Sequence, residues 1–122
     1  WSVQSPEEAE IDMYYGGWSP STGDADWGIR PLLGGADNFP PKSYNVSYYD
    51  NPEVNGLIKE ALETADTEKR AAAYDEMQSL LWNDVPWISL TAENTISGKK
   101  NYLTGIYLLP DGSLDVRNLD IK

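Results

Sequence analysis

The sequence predicts an α/β or α+β fold with two good helices and four or five strands. Strong helical periodicity over residues 51–84 lies between shorter stretches, before and after it, in which apolar and polar residues alternate. The 122 residues are 40% hydrophobic, which is globular composition and enough to bury a core of modest size. We therefore expect one domain, or part of one.

The first third of the chain predicts one short strand and one short helix. Residues 11–15 (IDMYY) alternate as a strand does, and the glycine pair at 16–17 ends it. A short helix is predicted in ADWGIRPLL from about Ala25, with Pro31 limiting it because proline cannot donate a helical hydrogen bond. Residues 34–50 carry Gly, Pro, Asn or Asp every few positions and predict a long loop.

Two amphipathic helices are predicted next, and they form an antiparallel hairpin. Asn51 is an N-cap with Pro52 at the first helical position, and Asp66 is the N-cap of the second helix. About three residues separate the helices, which favours antiparallel packing. The predicted buried stripes are Val54, Leu57, Ile58, Ala61, Leu62 and Ala65 on the first helix, and Ala73, Tyr74, Met77, Leu80 and Leu81 on the second.

The remainder of the chain predicts strands. Residues 87–92 (WISLTA) and 103–109 (LTGIYLL) are the stronger candidates, with weaker ones in SLDV and LDI near the end. A turn is predicted at residues 110–112 (PDG). Trp82 and Trp87 are expected in the core.

Composition excludes several classes of function. With 9 Lys and Arg against 20 Asp and Glu, the net charge of −11 disfavours nucleic acid and anionic membranes as partners. The sequence has no Cys and no His, so Ser–His–Asp and Cys–His catalysis cannot occur within it. The carboxylates at 24–26 and 111–115 lack the full pattern of a calcium loop, so no metal or other cofactor is expected.

Residues 14–28 (YYGGWSPSTGDADWG) concentrate aromatic, hydroxyl and carboxylate side chains around a glycine pair, which is unusual for a regular element and compatible with a binding wall. An indole offers a flat face, hydroxyls donate or accept, and carboxylates hold cations. The candidate ligand-binding residues are Trp18, Ser19, Ser21, Thr22, Asp24 and Asn45. Structural roles remain open for all of them: packing for Trp18, turn capping for the hydroxyls, an N-cap for Asp24 and loop hydrogen bonding for Asn45.

Four segments, taken in order, resemble the C-terminal part of the peptide-type (family 5) solute-binding proteins of bacterial ABC transporters. They are Gly17-Trp18, NVSYYDNPEVNGLIKEAL (45–62), EKRAAAYDEMQSLLWNDVPWISL (68–90) and KNYLTGIYLLPDG (100–112). Nearly the whole chain is covered. The segments GWSPSTGDADW and KNYLTG look most like the glutathione-binding branch.

The resemblance implies an α/β fold that is the C-terminal part of a two-lobed, type II periplasmic-binding-protein-like fold, with the helix hairpin packed on a mixed sheet. Residues 1–94 would belong to the second ligand-binding lobe and residues 95–122 to a tail that returns to the first lobe. The implied partners are a small peptide (glutathione-like, or a di- or oligopeptide), an ABC permease in the inner membrane and the missing N-terminal part of the same chain. The implied location is the periplasm or the extracytoplasmic face, and no enzymatic activity is implied.

One position departs from the family. Dipeptide- and oligopeptide-binding members carry an Asp three residues after this Trp, and it takes the ammonium of the peptide. This sequence has Ser21 there, which puts an ordinary dipeptide in doubt and suits a γ-linked peptide, with Asp24 as the nearest substitute.

Two other interpretations stay open. One is a carboxylate-based, glycosidase-like hydrolase that uses Asp24 and Asp26, and the other is a surface adhesion module. Unpaired strand edges in the tail also favour association of the chain with a second copy.

Overall fold

The computed structural model describes residues 4–92, 94–109 and 111–122. Helices occupy the first part of the chain and short strands the last. The helices are α1 (Ala25–Leu33), a single 3₁₀ turn (Ala36–Asn38), α2 (Pro52–Glu63) and α3 (Thr67–Asp84); the strands are β1 (Leu103–Thr104), β2 (Tyr107–Leu108), β3 (Leu114–Asp115) and β4 (Asp120–Ile121). The predicted combination of helices and strands is therefore confirmed.

The predicted hairpin is formed by α2 and α3, and both predicted N-caps are confirmed. The Asn51 side chain accepts a hydrogen bond from the Glu53 N–H at 2.9 Å. The carboxylate of Asp66 accepts from the Glu68 and Lys69 N–H groups. These bonds satisfy helix N–H groups that have no partner within the helix.

The core lies between the two helices of the hairpin. Its buried members come from both predicted stripes: Val54, Ile58 and Ala61 of α2, with Ala73, Tyr74 and Met77 of α3. Leu57, Leu80 and Leu81 pack at its edge. Leu62 and Ala65 are exposed, so the predicted stripe of α2 was too wide.

Helix α1 packs beside this core through Ile29 and contacts α2. It does not stop at Pro31: it continues to Leu33, and the last three residues of the helix are buried. The segment ADWGIRPLL is therefore helical as predicted, but Pro31 lies inside the helix and does not limit it.

Two predicted strands are absent from the described residues. Residues 11–15 and 87–92 adopt no strand. Alternation describes a strand only when a neighbouring strand takes up its backbone hydrogen bonds, and neither stretch belongs to a ladder. Trp82 and Trp87 are also not core residues, since 81% and 41% of their surfaces are exposed. Trp82 lies outside the stripe of α3 that faces α2.

The tail forms two small antiparallel ladders instead of the predicted mixed sheet. β1 pairs with β4, with Leu103 opposite Ile121, and β2 pairs with β3, with Leu108 opposite Leu114. Gly105 separates β1 from β2: its φ of 73° is left-handed, and an added Cβ would collide with the backbone oxygen of Asn118. The predicted strand at 103–109 is thus divided into two pieces that pair with different partners. Among the described residues, no helix is both long and apolar enough to cross a membrane.

Candidate functional site

Three aromatic rings assemble where the loop after the glycine pair meets α1. The Trp18 ring lies 5.8 Å from that of Trp27 and 5.1 Å from that of Tyr44, and both pairs are tilted. Trp18 is half-buried and Tyr44 is exposed. We call these three side chains the aromatic wall. The Trp18 indole therefore lies at a surface rather than wholly inside the protein.

The polar edge of Trp18 is used within the protein. Its Nε1–H donates to the backbone oxygen of Trp27 at 2.8 Å. A ligand at the wall would therefore meet the face of the indole rather than its donor. This bond also fixes how the ring is turned relative to α1.

The loop between Trp18 and α1 carries three candidate hydroxyl groups, those of Ser19, Ser21 and Thr22, and all three residues are exposed. Ser19 Oγ donates to the backbone oxygen of Asp111 at 3.4 Å, which links the loop to the tail. Thr22 Oγ1 accepts from the Asp24 N–H at 3.2 Å, a turn-capping role. Ser21 lies at the turn between them.

Asp24 connects the loop to the helical hairpin. As predicted, it is the N-cap of α1, and its Oδ1 accepts from the Asp26 N–H at 2.8 Å. The same oxygen accepts from Arg70 Nη2 at 2.6 Å. The hydrogen bond from Arg70, followed by that from the Asp26 backbone, lowers the pKa of the Asp24 carboxyl.

Arg70 is a residue of this site that the sequence did not indicate. In addition to the bond from its Nη2 to Asp24, Arg70 donates from its Nε to the backbone oxygen of Ala61 at 3.3 Å. Ala61 lies in the last turn of α2, where carbonyls lack helical donors. The Arg70 guanidinium also lies 5.1 Å from the centre of the Tyr74 ring. One side chain of α3 thus contacts the start of α1 and the end of α2.

Asp26 is engaged by a different arginine. Arg30 Nη2 lies 2.6 Å from Asp26 Oδ2, and Arg30 Nε lies 2.8 Å from Asp26 Oδ1, a bidentate pair one helical turn apart. This hydrogen bond raises the pKa of Arg30. Asp24 and Asp26 are therefore each bound to their own guanidinium. Glycoside hydrolysis needs a pair of available carboxyl groups, and this arrangement does not provide one.

Asn45 is completely buried. Its Nδ2 donates to the backbone oxygens of Tyr49 and Gly35, at 2.8 and 3.3 Å. Its Oδ1 accepts from Ser47 Oγ and from the Tyr49 N–H, at 3.0 and 3.3 Å. The Asn45 amide therefore organises the loop that carries Tyr44.

The described recesses lie away from the aromatic wall. One, of about 170 Å³, is lined by tail residues that include Lys99, Ile106 and Leu114. The other is an open depression beside Trp82. No group of three or more acidic side chains among the described residues is arranged to hold a metal ion.

The ion pair between Asp24 and Arg70 predicts a pH dependence of stability. Because the pKa of Asp24 is lowered on folding, its carboxylate stabilises the protein above the unfolded pKa of about 3.9. That contribution is lost as the pH falls through the lower pKa of the folded state. Asp24→Asn keeps an N-cap acceptor but loses the charge. We expect its melting temperature to lie below that of the parent at pH 7, by a few degrees at most because both side chains are partly exposed.

Thermal melts between pH 2 and pH 7 measure this difference, which should close as the pH falls below about 4. In an Arg70→Met background, Asp24→Asn should change little at any pH. A difference that stays constant over the whole range would contradict the ion-pair explanation.

No family model matches the chain. It is similar to the glutathione-binding protein GsiB of Salmonella typhimurium, with 36% identity over 116 residues, which are 95% of this chain and 22% of that protein. The GsiB proteins of Escherichia coli (strain K12) and Shigella dysenteriae are 34% identical over the same shares. The chain therefore spans about a fifth of the length of these curated relatives. This similarity confirms the resemblance to peptide-type solute-binding proteins, and to their glutathione-binding branch.

Proposed function

We propose that this chain is the C-terminal part of an extracytoplasmic solute-binding protein of an ABC transporter and supplies one wall of its ligand cleft. The ligand would be a small peptide, glutathione-like in preference to an ordinary dipeptide. The observation that carries the proposal is the half-buried Trp18 ring, held between Trp27 and Tyr44 beside exposed hydroxyl groups. The similarity to glutathione-binding proteins supports the choice of ligand class.

In this proposal the candidate residues have two kinds of role. The Trp18 face packs against the ligand, while Ser19 and Ser21 exchange hydrogen bonds with its polar groups. Thr22, Asp24 and Asn45 border the ligand and also hold the wall, since their polar atoms already bind the turn, α1 and the loop. With a hydroxyl at Ser21, the ammonium of the ligand is expected to lie away from this wall.

We propose the same division of the chain as the resemblance implies: residues 1–94 in the second lobe and residues 95–122 in the tail that returns to the first. The change of secondary structure along the chain supports this division, because the described helices all end before residue 94 and the described strands all begin after it. A ligand that contacts both lobes only in the closed form stabilises closure, and the closed form is what the permease in the inner membrane would recognise.

The site would bind its ligand without breaking a bond, in the periplasm or on the extracytoplasmic face. The two arginine pairs argue against the hydrolase alternative, because they leave neither Asp24 nor Asp26 as an unpaired acid or nucleophile.

Ligand-dependent thermal stabilisation of the full-length protein tests this function. A ligand at a hundred times its Kd should stabilise the protein by about 2.7 kcal/mol. Trp18→Ala removes the central ring of the aromatic wall and should weaken glutathione binding roughly 10- to 100-fold, an effect typical of a buried aromatic contact. The matched control is Trp82→Ala, at an exposed tryptophan of α3, which should bind as the parent does.

The measurement is a melting curve with glutathione and with a panel of short peptides, followed by calorimetry for any member that shifts it. If no member of the panel shifts the melting temperature, the proposed function fails. If the two tryptophan variants bind equally well, the wall is not the site.

A further inference from the structure

We infer that Pro31 positions the aromatic wall, because the helical donor that it lacks is replaced by the indole N–H of Trp18. The inference concerns a positioning residue of the site proposed above and rests on that proposal for its functional meaning. Its structural content, an energetic coupling between Pro31 and Trp18, can be tested without any ligand.

The first step is the hydrogen-bond pattern of α1. In an α-helix the carbonyl of Trp27 accepts from the N–H four residues later, which is position 31. Proline has no N–H, and its ring pushes against that same carbonyl. The helix nevertheless continues, since the Gly34 N–H donates to the Arg30 oxygen at 2.9 Å. Pro31 therefore leaves the carbonyl of Trp27 without its helical donor inside an intact helix.

The second step is what replaces that donor. Trp18 Nε1 lies 2.8 Å from the oxygen of Trp27, at the distance of a good N–H···O bond, in a partly buried position. A buried carbonyl without a partner is costly, so the indole is held in the one orientation that satisfies it. The ring is thus oriented before any ligand arrives, which reduces the entropy lost on binding.

The third step concerns the other side of the wall. The backbone oxygen of Pro31 accepts from the Tyr44 N–H at 3.1 Å and from Ser43 Oγ at 3.2 Å. Pro31 is itself buried. Pro31 therefore acts on both rings: its missing N–H places Trp18, and its carbonyl places Tyr44. The centres of the two rings lie 5.1 Å apart. This explains why a proline inside a nine-residue helix is compatible with the fold.

A double-mutant cycle on the intact protein tests the coupling. Trp18→Phe keeps an aromatic ring but cannot donate, so it leaves the oxygen of Trp27 unsatisfied. In the parent background it should lower the melting temperature by roughly 4–8 °C. In the Pro31→Ala background the restored N–H of residue 31 takes over, and Trp18→Phe should lower the melting temperature by less than half as much. Packing losses common to both backgrounds cancel in the cycle.

A second measurement keeps the inference testable if Pro31→Ala does not fold. In the ¹⁵N-labelled parent protein, the indole N–H of Trp18 should exchange with solvent at least tenfold more slowly than that of Trp82, which is exposed and serves as the internal control. Equal exchange at the two indoles, or equal effects of Trp18→Phe in the two backgrounds, would overturn the inference. Neither result depends on glutathione, so failure of the coupling is distinguishable from failure of the proposed function.

Discussion

Asn45→Leu is expected to lower the free energy of unfolding by about 3 kcal/mol, a large effect for a substitution that keeps the number and branching of the side-chain heavy atoms. The Asn45 side chain is completely buried and binds the backbone of Gly35 and Tyr49 and the hydroxyl of Ser47. Leucine leaves the backbone N–H and oxygen of Tyr49 without their partner, at about 1–3 kcal/mol for each group that stays buried, whereas the oxygen of Gly35 keeps the Asn38 N–H. Relaxation of the loop and entry of water keep the total below the full sum.

Urea unfolding followed by circular dichroism measures this change. The matched control is Asn83→Leu, at an exposed position of α3, where a change within about 0.5 kcal/mol is expected. A destabilisation by Asn45→Leu no larger than that of the control would show that the loop does not depend on the amide.

Met77→Ala should be similarly severe, with a loss of about 2–5 kcal/mol. Met77 has no exposed surface and lies between α2 and α3, in contact with the rest of the buried cluster. Truncation removes apolar contacts and leaves a cavity that two packed helices fill only in part. The stripe that predicts the hairpin should therefore also be the chief source of its stability.

The chain provides its own control for this experiment, because the sequence contains two methionines and the other, Met13, is 88% exposed. Met13→Ala should change stability by no more than about 0.5 kcal/mol. The helical signal at 222 nm, followed in urea, should show a lower midpoint for Met77→Ala with an unchanged slope. Indistinguishable midpoints for the two variants would mean that the hairpin core does not hold the fold.

Local signals predicted the helical part of this protein well. Asn51 and Asp66 cap their helices as expected, and Asp24 begins α1. These signals succeed because a cap involves residues two or three positions apart, so the neighbouring sequence contains all of its partners. The resemblance to peptide-type solute-binding proteins was likewise a property of the sequence, and the relatives confirm it.

Signals that need a distant partner were predicted less well. Alternation at residues 11–15 and 87–92 suggested strands, yet a strand exists only when another strand pairs with it, and the described residues supply none. Trp82 was expected in the core, but nothing in the described residues covers that side of α3. In both cases the sequence pattern shows only one of the two partners that the interaction needs.

The sequence by itself therefore determined the hairpin, its caps, the resemblance to glutathione-binding proteins and the stretch in which to look for a site, because these follow from neighbouring residues and from overall similarity. Only the tertiary structure decided how that stretch is used. In that structure Arg70 binds Asp24, which is 46 positions away, and the indole N–H of Trp18 donates to the Trp27 carbonyl that Pro31 leaves without a helical donor. The physical reason is that such bonds join groups brought together by packing, and their spacing along the chain carries no signal.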